Sequence, residues 1–153
     1  MKGITLKGSV LIFLLGMVSI FTPFTCNKDE SKINIVLHDK PLDLIQSSIQ
    51  GKWKLQKVTG GICNGCYPPP KNNPYMIITG DHIVAGNDLR VTLDTIIVWK
   101  WDRDIFQDYT YLLSYRDSKS YAFPIYKVVD QIKNDTLVLI DDASDAFYYY
   151  YTK

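Results

Sequence analysis

The sequence predicts an all-β domain: a small antiparallel up-and-down β-barrel of about eight strands, with one short helix on its N-terminal side. Three observations support this fold class. The 153-residue chain contains 11 Tyr, 6 Phe and 3 Trp, which favour half-buried pleated surfaces. Apolar and polar residues alternate along most of the chain after Gly51. Turn residues recur every 8–12 positions or so, the spacing typical of barrels and sandwiches.

The length suits a single domain, and the net charge of +1 provides no basic field for nucleic acid.

Residues 1–25 predict a signal peptide, with Lys2 and Lys7 before an apolar run at 10–21. That run is shorter than the roughly 20 residues that span a bilayer, so a transmembrane anchor is the less favoured alternative. The run leads to Cys26 in a context that resembles a bacterial lipobox. We therefore expect Cys26 to be acylated, for example with palmitate, and to become the new N-terminus.

Lipidation implies anchoring to a membrane without a spanning helix, because buried acyl chains supply the affinity. Residues 27–31 resemble the acidic signal that sends some Gram-negative lipoproteins to the cell surface, and an ordinary solvated tether fits them equally well. The expected location is the outer membrane, on its periplasmic or cell-surface face.

Residues 26–48 are expected to hold the lipidated Cys, a flexible tether and the short helix. Residues 27–40 predict the tether. Pro41 then suits a first helical turn, apolar residues at 42, 45 and 49 share one helical face, and Gly51 suits a stop. We expect this helix to close one end of the barrel.

The strands are predicted in order from residue 52. The first, at 52–59, places Trp53 and Leu55 on one face, and three consecutive prolines keep the connection at 62–74 out of the sheet. Further strands are expected at 75–79, 82–85, 89–101 (one long bent strand or two short ones), 109–115, 121–131, 136–140 and 147–152.

Residues 49–153 resemble the lipocalin-like domains of bacterial lipoproteins. Gly51-Lys52-Trp53 is similar to the Gly-x-Trp that opens the first lipocalin strand. The segment Asn134-Asp135-Thr136-Leu137-Val138-Leu139 and the tyrosine-rich last strand are also similar to these domains. The resemblance implies a barrel with Trp53 packed across its floor.

Cys63 and Cys66 form a Cys-x-x-Cys, which suits a tight disulfide, a redox pair or half of a zinc site. Redox pairs usually begin a helix in a βαβ unit, and that pattern is absent here. Zinc takes four ligands, while His38 and His82 are the only histidines. A disulfide is the favoured interpretation in an oxidising envelope.

Trp53, Trp99 and Trp101 are candidates for lining a pocket for a small apolar ligand, with core packing as the favoured alternative. The Asp-rich segments at 104–108 and 141–145 do not follow the standard calcium loop, so no metal or cofactor is predicted. No catalytic triad order, nucleophile elbow or phosphate loop is present, so we do not expect an enzyme.

The expected function is a lipid-anchored module that binds a small apolar ligand. The alternative is a structural or interaction accessory of the envelope with a filled core.

Overall fold

The computed structural model describes residues 32–62, 67–68, 70–117 and 123–153. Within them lie ten strands and one helix. Their bounds are β1 Asn34–Val36, α1 Leu42–Ser48, β2 Gly51–Gly60, β3 Tyr75–Thr79, β4 His82–Gly86, β5 Val91–Ile96, β6 Val98–Arg103, β7 Tyr109–Tyr115, β8 Ile125–Lys133, β9 Thr136–Asp141 and β10 Phe147–Thr152. No helix in this part of the chain has the length and apolar character needed to cross a membrane.

All ten strands join one antiparallel sheet. Nine follow the order β5-β4-β3-β2-β10-β9-β8-β7-β6, and β1 pairs with β8 beside this path. Neighbours in sequence pair from β2 to β5 and from β6 to β10, and β10 pairs back onto β2. This is the connectivity of an up-and-down barrel with one pairing missing, between β5 and β6. The all-β, barrel-like prediction is therefore confirmed, but the sheet is a strongly curled half-barrel.

The two edge strands are adjacent in the sequence, because only Ile97 separates β5 from β6. Ile97 is buried, and its backbone N–H donates to the carbonyl of Asp81 at 2.6 Å. The sheet must therefore curl until the end of β5 lies beside the start of β6, although the two strands do not pair. The segment 89–101 consequently forms two short strands rather than one long bent strand.

The folded unit begins earlier than the sequence predicts. Asn34–Val36 forms β1 and pairs with Gln131–Lys133 of β8. Leu37 is fully buried, and the backbone N–H groups of Leu37 and His38 both donate to the carbonyl of Asp130. The prediction of a flexible tether is wrong for residues 34–40. With β1 and the break at Ile97, the strand count rises from about eight to ten.

Helix α1 forms in the segment where the sequence predicts a short helix, and it contributes to the main core. Ile45 and Ile49 are fully buried on its inward side, and Trp53 of β2 is fully buried with them. The Trp53 indole Nε1 donates to the carbonyl of Ile49 at 2.7 Å. This bond satisfies a carbonyl that the helix end leaves without an intrahelical partner. The helix and Trp53 together form a solid part of the core.

We call the concave side of the sheet, which carries the main core, the inner face, and the opposite side the outer face. The inner core includes Trp53, Leu113, Val129 and Leu139. The outer face carries a smaller cluster of Leu112, Val128, Val138 and Ile140, with Tyr148 and Tyr150 packed against it. Because strand side chains alternate between faces, β7 to β10 are apolar on both sides.

Candidate ligand-binding cavity

A cavity of about 400 Å³ lies on the inner face, in the part of the half-barrel that the core side chains leave unfilled. Its volume lies within the range typical of small-molecule sites. Strands β3, β4, β7, β8, β9 and β10 all contribute to it. It is lined by Met76, Ile83, Leu113, Tyr115, Phe123, Pro124, Ile125, Lys127, Leu139, Asp141, Tyr149 and Tyr151.

The lining combines an apolar wall with a small set of polar groups. Met76, Ile83, Leu113 and Leu139 supply the wall and are each no more than 3% exposed, so only a small part of each side chain faces the cavity. Their strands lie on both sides of β2 and β10 in the sheet order, so it is the curl that brings them together. A wall of this kind favours the apolar part of a ligand by removing it from water.

An ion pair lies inside the cavity. The Lys127 ammonium contacts Asp141 Oδ1, and the two side chains are 9% and 19% exposed. The ammonium also lies 3.7 Å from the centroid of the Tyr149 ring, and the Tyr149 hydroxyl donates to Asp141 Oδ2 at 3.1 Å. Burial lowers the pKa of Lys127, and the contact with Asp141 opposes this effect. Both oxygens of Asp141 are thus engaged, and its charge is compensated locally.

Tyr115 and Tyr151 bring two further phenol groups to the same cavity. Within the described residues, neither hydroxyl has a hydrogen-bond partner in the protein. Burial raises the pKa of Tyr115 to about 12, with a smaller effect from the carboxylates of Asp141 and Asp117. Burial also raises the pKa of Tyr151, with Tyr115 and Asp141 adding to the shift. Both phenols are therefore neutral donors at physiological pH.

A second, larger depression of about 700 Å³ lies on the outer face between β2 and β10. Lys57, Thr59, Gly60, Asp145 and Tyr150 are among its lining residues. It opens more widely to solvent than the inner cavity and is more polar. Small-molecule sites are usually clefts with a mostly apolar lining, so we take the inner cavity, the less open and more apolar of the two, as the candidate site.

None of the three tryptophans singled out from the sequence lines the inner cavity. Trp53 is fully buried in the core beneath α1, and Trp99 is partly buried against the same core. Trp101 is 55% exposed and stacks on Tyr109 with ring centroids 6.1 Å apart. The structure does not bring the three rings together, and a role for them in ligand binding stays a prediction.

The other residues singled out have separate positions. Asp104 is buried, accepts hydrogen bonds from the backbone of Phe106 and Asp108, and pairs with His38 Nε2 at 2.5 Å. His82 forms an exposed pair with Asp94 at 3.0 Å. In the part of the chain that the structure covers, no three His, Cys, Asp or Glu side chains are grouped to hold a metal ion. Cys26, Cys63 and Cys66 lie outside the described residues.

The sequence reasoning missed Lys127 and the inward-facing tyrosines as site residues, and it considered Asp141 only as part of an Asp-rich segment that was a candidate for calcium binding. A signal was present for the tyrosines, because Tyr149 and Tyr151 alternate on one predicted face of the last strand. Lys127 gave a weaker signal: it shares the inward parity of Val129, so a charged residue stands where an apolar one is expected. An inward-facing lysine is a place to look for a partner or a ligand.

In the comparisons with known proteins, no family model, curated protein or solved structure matches this chain.

Proposed function

We propose that this protein is a lipid-anchored binding module of the outer membrane that holds a small, largely apolar ligand in the inner cavity of a lipocalin-like half-barrel. One observation carries the proposal: a half-open cavity of about 400 Å³ remains on the inner face beside a densely packed core. A protein whose sheet served only as a scaffold would gain stability by filling such a space, since unfilled volume forfeits packing contacts.

The anchoring part of the proposal rests on the sequence. An apolar run at 10–21 precedes Cys26, and only a few residues separate Cys26 from the first described residue, Lys32. At most about 3.6 Å of chain per residue then places an anchored domain close to the membrane surface. A ligand with an apolar body would be exchanged with the envelope at this short range.

The test uses full chain carrying Cys26→Ser, so that no acyl chain competes for the probe. Binding of N-phenyl-1-naphthylamine, a neutral apolar fluorophore, is followed by its emission. Leu139→Trp places a large ring in the inner cavity, and Thr59→Trp does the same in the outer depression. We expect Leu139→Trp to weaken binding about tenfold or more, a loss of at least about 1.4 kcal/mol, and Thr59→Trp to leave it unchanged.

The outcomes separate the candidate functions. Loss of binding in Thr59→Trp alone would move the site to the outer face and overturn the proposal. No probe binding by the Cys26→Ser chain would also overturn it, and would favour the alternative of a structural or interaction accessory. Circular dichroism of each variant checks that the fold is intact.

A further inference from the structure

The polar end of the inner cavity contains two kinds of group that call for different ligands. Lys127 and Asp141 carry opposite charges and already contact each other, while Tyr149 occupies the remaining oxygen of Asp141. Tyr115 and Tyr151 have hydroxyl groups with no protein acceptor in the described residues. The unmet hydrogen-bonding capacity of the cavity therefore comes from two neutral phenols, each with an O–H that needs an acceptor and an oxygen that can also accept.

Charge compensation decides against an ionic ligand. A carboxylate that paired with Lys127 would leave Asp141 without its cation, and an amine that paired with Asp141 would displace Lys127. Either exchange leaves one uncompensated charge in a space walled by Met76, Ile83 and Leu139, where such a charge is costly. A neutral ligand leaves the ion pair intact.

Hydrogen-bond accounting favours an acceptor. Buried polar groups in native proteins nearly always find a partner, and a phenol facing a cavity finds it in water or in a ligand. A ligand that offers a carbonyl oxygen to Tyr115 and Tyr151 satisfies both donors and displaces water from the apolar wall. A hydrocarbon of the same length would bury the wall but would leave both phenols without an acceptor.

From this arrangement we infer that the ligand of the inner cavity is an uncharged molecule with an apolar chain or ring and a carbonyl-type acceptor, such as a ketone, ester or lactone, received by the hydroxyls of Tyr115 and Tyr151. This inference rests on the proposed function, since it names the ligand class of the same cavity.

The test compares four probes of equal chain length: 2-decanone, decanoate, decylamine and decane. Each displaces N-phenyl-1-naphthylamine from the Cys26→Ser chain at neutral pH. We expect 2-decanone to compete about fivefold to tenfold better than any of the other three, the effect of one or two additional hydrogen bonds. Tyr115→Phe with Tyr151→Phe should bring 2-decanone to the level of decane without altering decane itself.

Tyr148→Phe is the matched control, because Tyr148 lies on the outer face and lines the other depression. It should leave the order of the four probes unchanged.

If decanoate is the best competitor and this advantage is lost in Lys127→Met, the inference is overturned in favour of an anionic ligand. Decylamine as the best competitor, lost in Asp141→Asn, would overturn it in favour of a cation. Equal competition by all four probes would show that the two phenols do not select among ligands. That result would overturn the inference but would leave the proposed function standing. Failure of every probe, decane included, would overturn the proposed function itself.

Discussion

Replacing Lys127 by Met tests whether the ion pair is an interior feature of the cavity. Met keeps most of the length of the lysine side chain and removes the charge, which leaves Asp141 without its cation. Breaking a buried ion pair by removing one partner costs about 3–5 kcal/mol. Tyr149 still donates to Asp141, and the Asp141 side chain is 19% exposed, so we expect the lower end of that range, about 3 kcal/mol at pH 7.

The assay is urea unfolding followed by tyrosine and tryptophan fluorescence, with the slope m required to match that of the wild type. Asp141→Asn and the double variant complete a cycle. The double variant should regain about 1–2 kcal/mol relative to Lys127→Met, because it buries no uncompensated charge. Lys54→Met on β2, an exposed position, should change stability by no more than about 0.5 kcal/mol.

The stability of the same variant should also depend on pH. With Lys127 gone, the unpaired carboxylate of Asp141 disfavours the folded state only while it is ionised. Acid protonates carboxylates in general, so the loss seen in Lys127→Met relative to the wild type should be smaller at pH 3.5 than at pH 7. A variant as stable as the wild type at pH 7, or a loss that is the same at pH 7 and pH 3.5, would refute this description of the cavity.

Three further predictions concern the core, the N-terminal segment and the phenols. Trp53→Phe removes the indole hydrogen bond inside the core and should cost about 1–3 kcal/mol in urea unfolding; a change near zero would show that this bond does not matter. His38→Ala leaves the buried Asp104 carboxylate short of a partner and should lower the free energy of unfolding by about 1–3 kcal/mol. His82→Ala removes one member of an exposed pair and should lower it by less than about 1 kcal/mol. Equal losses in the two variants would contradict the burial of the first pair. Because the pKa of Tyr115 is raised to about 12 in the folded protein, the free energy of unfolding should fall as pH rises from 10 to 12. Tyr115→Phe should lessen that fall by about 2–3 kcal/mol. A fall of the same size in the variant would contradict the burial of this phenol.

The strands from β2 to β10 were predictable because each carries its own alternating pattern and ends in turn residues. β1 was not, because three residues give too short a pattern. Its pairing partner on β8 lies about 100 residues later, and nothing local in the sequence indicates it. The missing β5–β6 pairing was also beyond sequence reasoning, since closure of a sheet depends on twist and curl accumulated over every strand.

The site residues show the same division. Large aromatic residues at alternating positions suggested Trp53, Trp99 and Trp101, yet the largest ring packs most favourably in the core, and Trp53 is fully buried there. The cavity instead joins side chains of β3 and β4 to those of β7 to β10 across the curled sheet. Lys127 interrupts the inward apolar pattern of its strand, but only the structure identifies Asp141 as its partner.

Native mass spectrometry of the protein purified from its own membrane shows directly whether the inner cavity holds a ligand. We predict a mass increment of a neutral small molecule that is released on collisional activation, is reduced or lost in Leu139→Trp and is retained in Thr59→Trp. The same spectra report the acyl mass on Cys26 and the oxidation state of Cys63 and Cys66. A protein that carries no releasable mass increment in any charge state, and that takes up neither 2-decanone nor decane, would contradict ligand binding in the inner cavity.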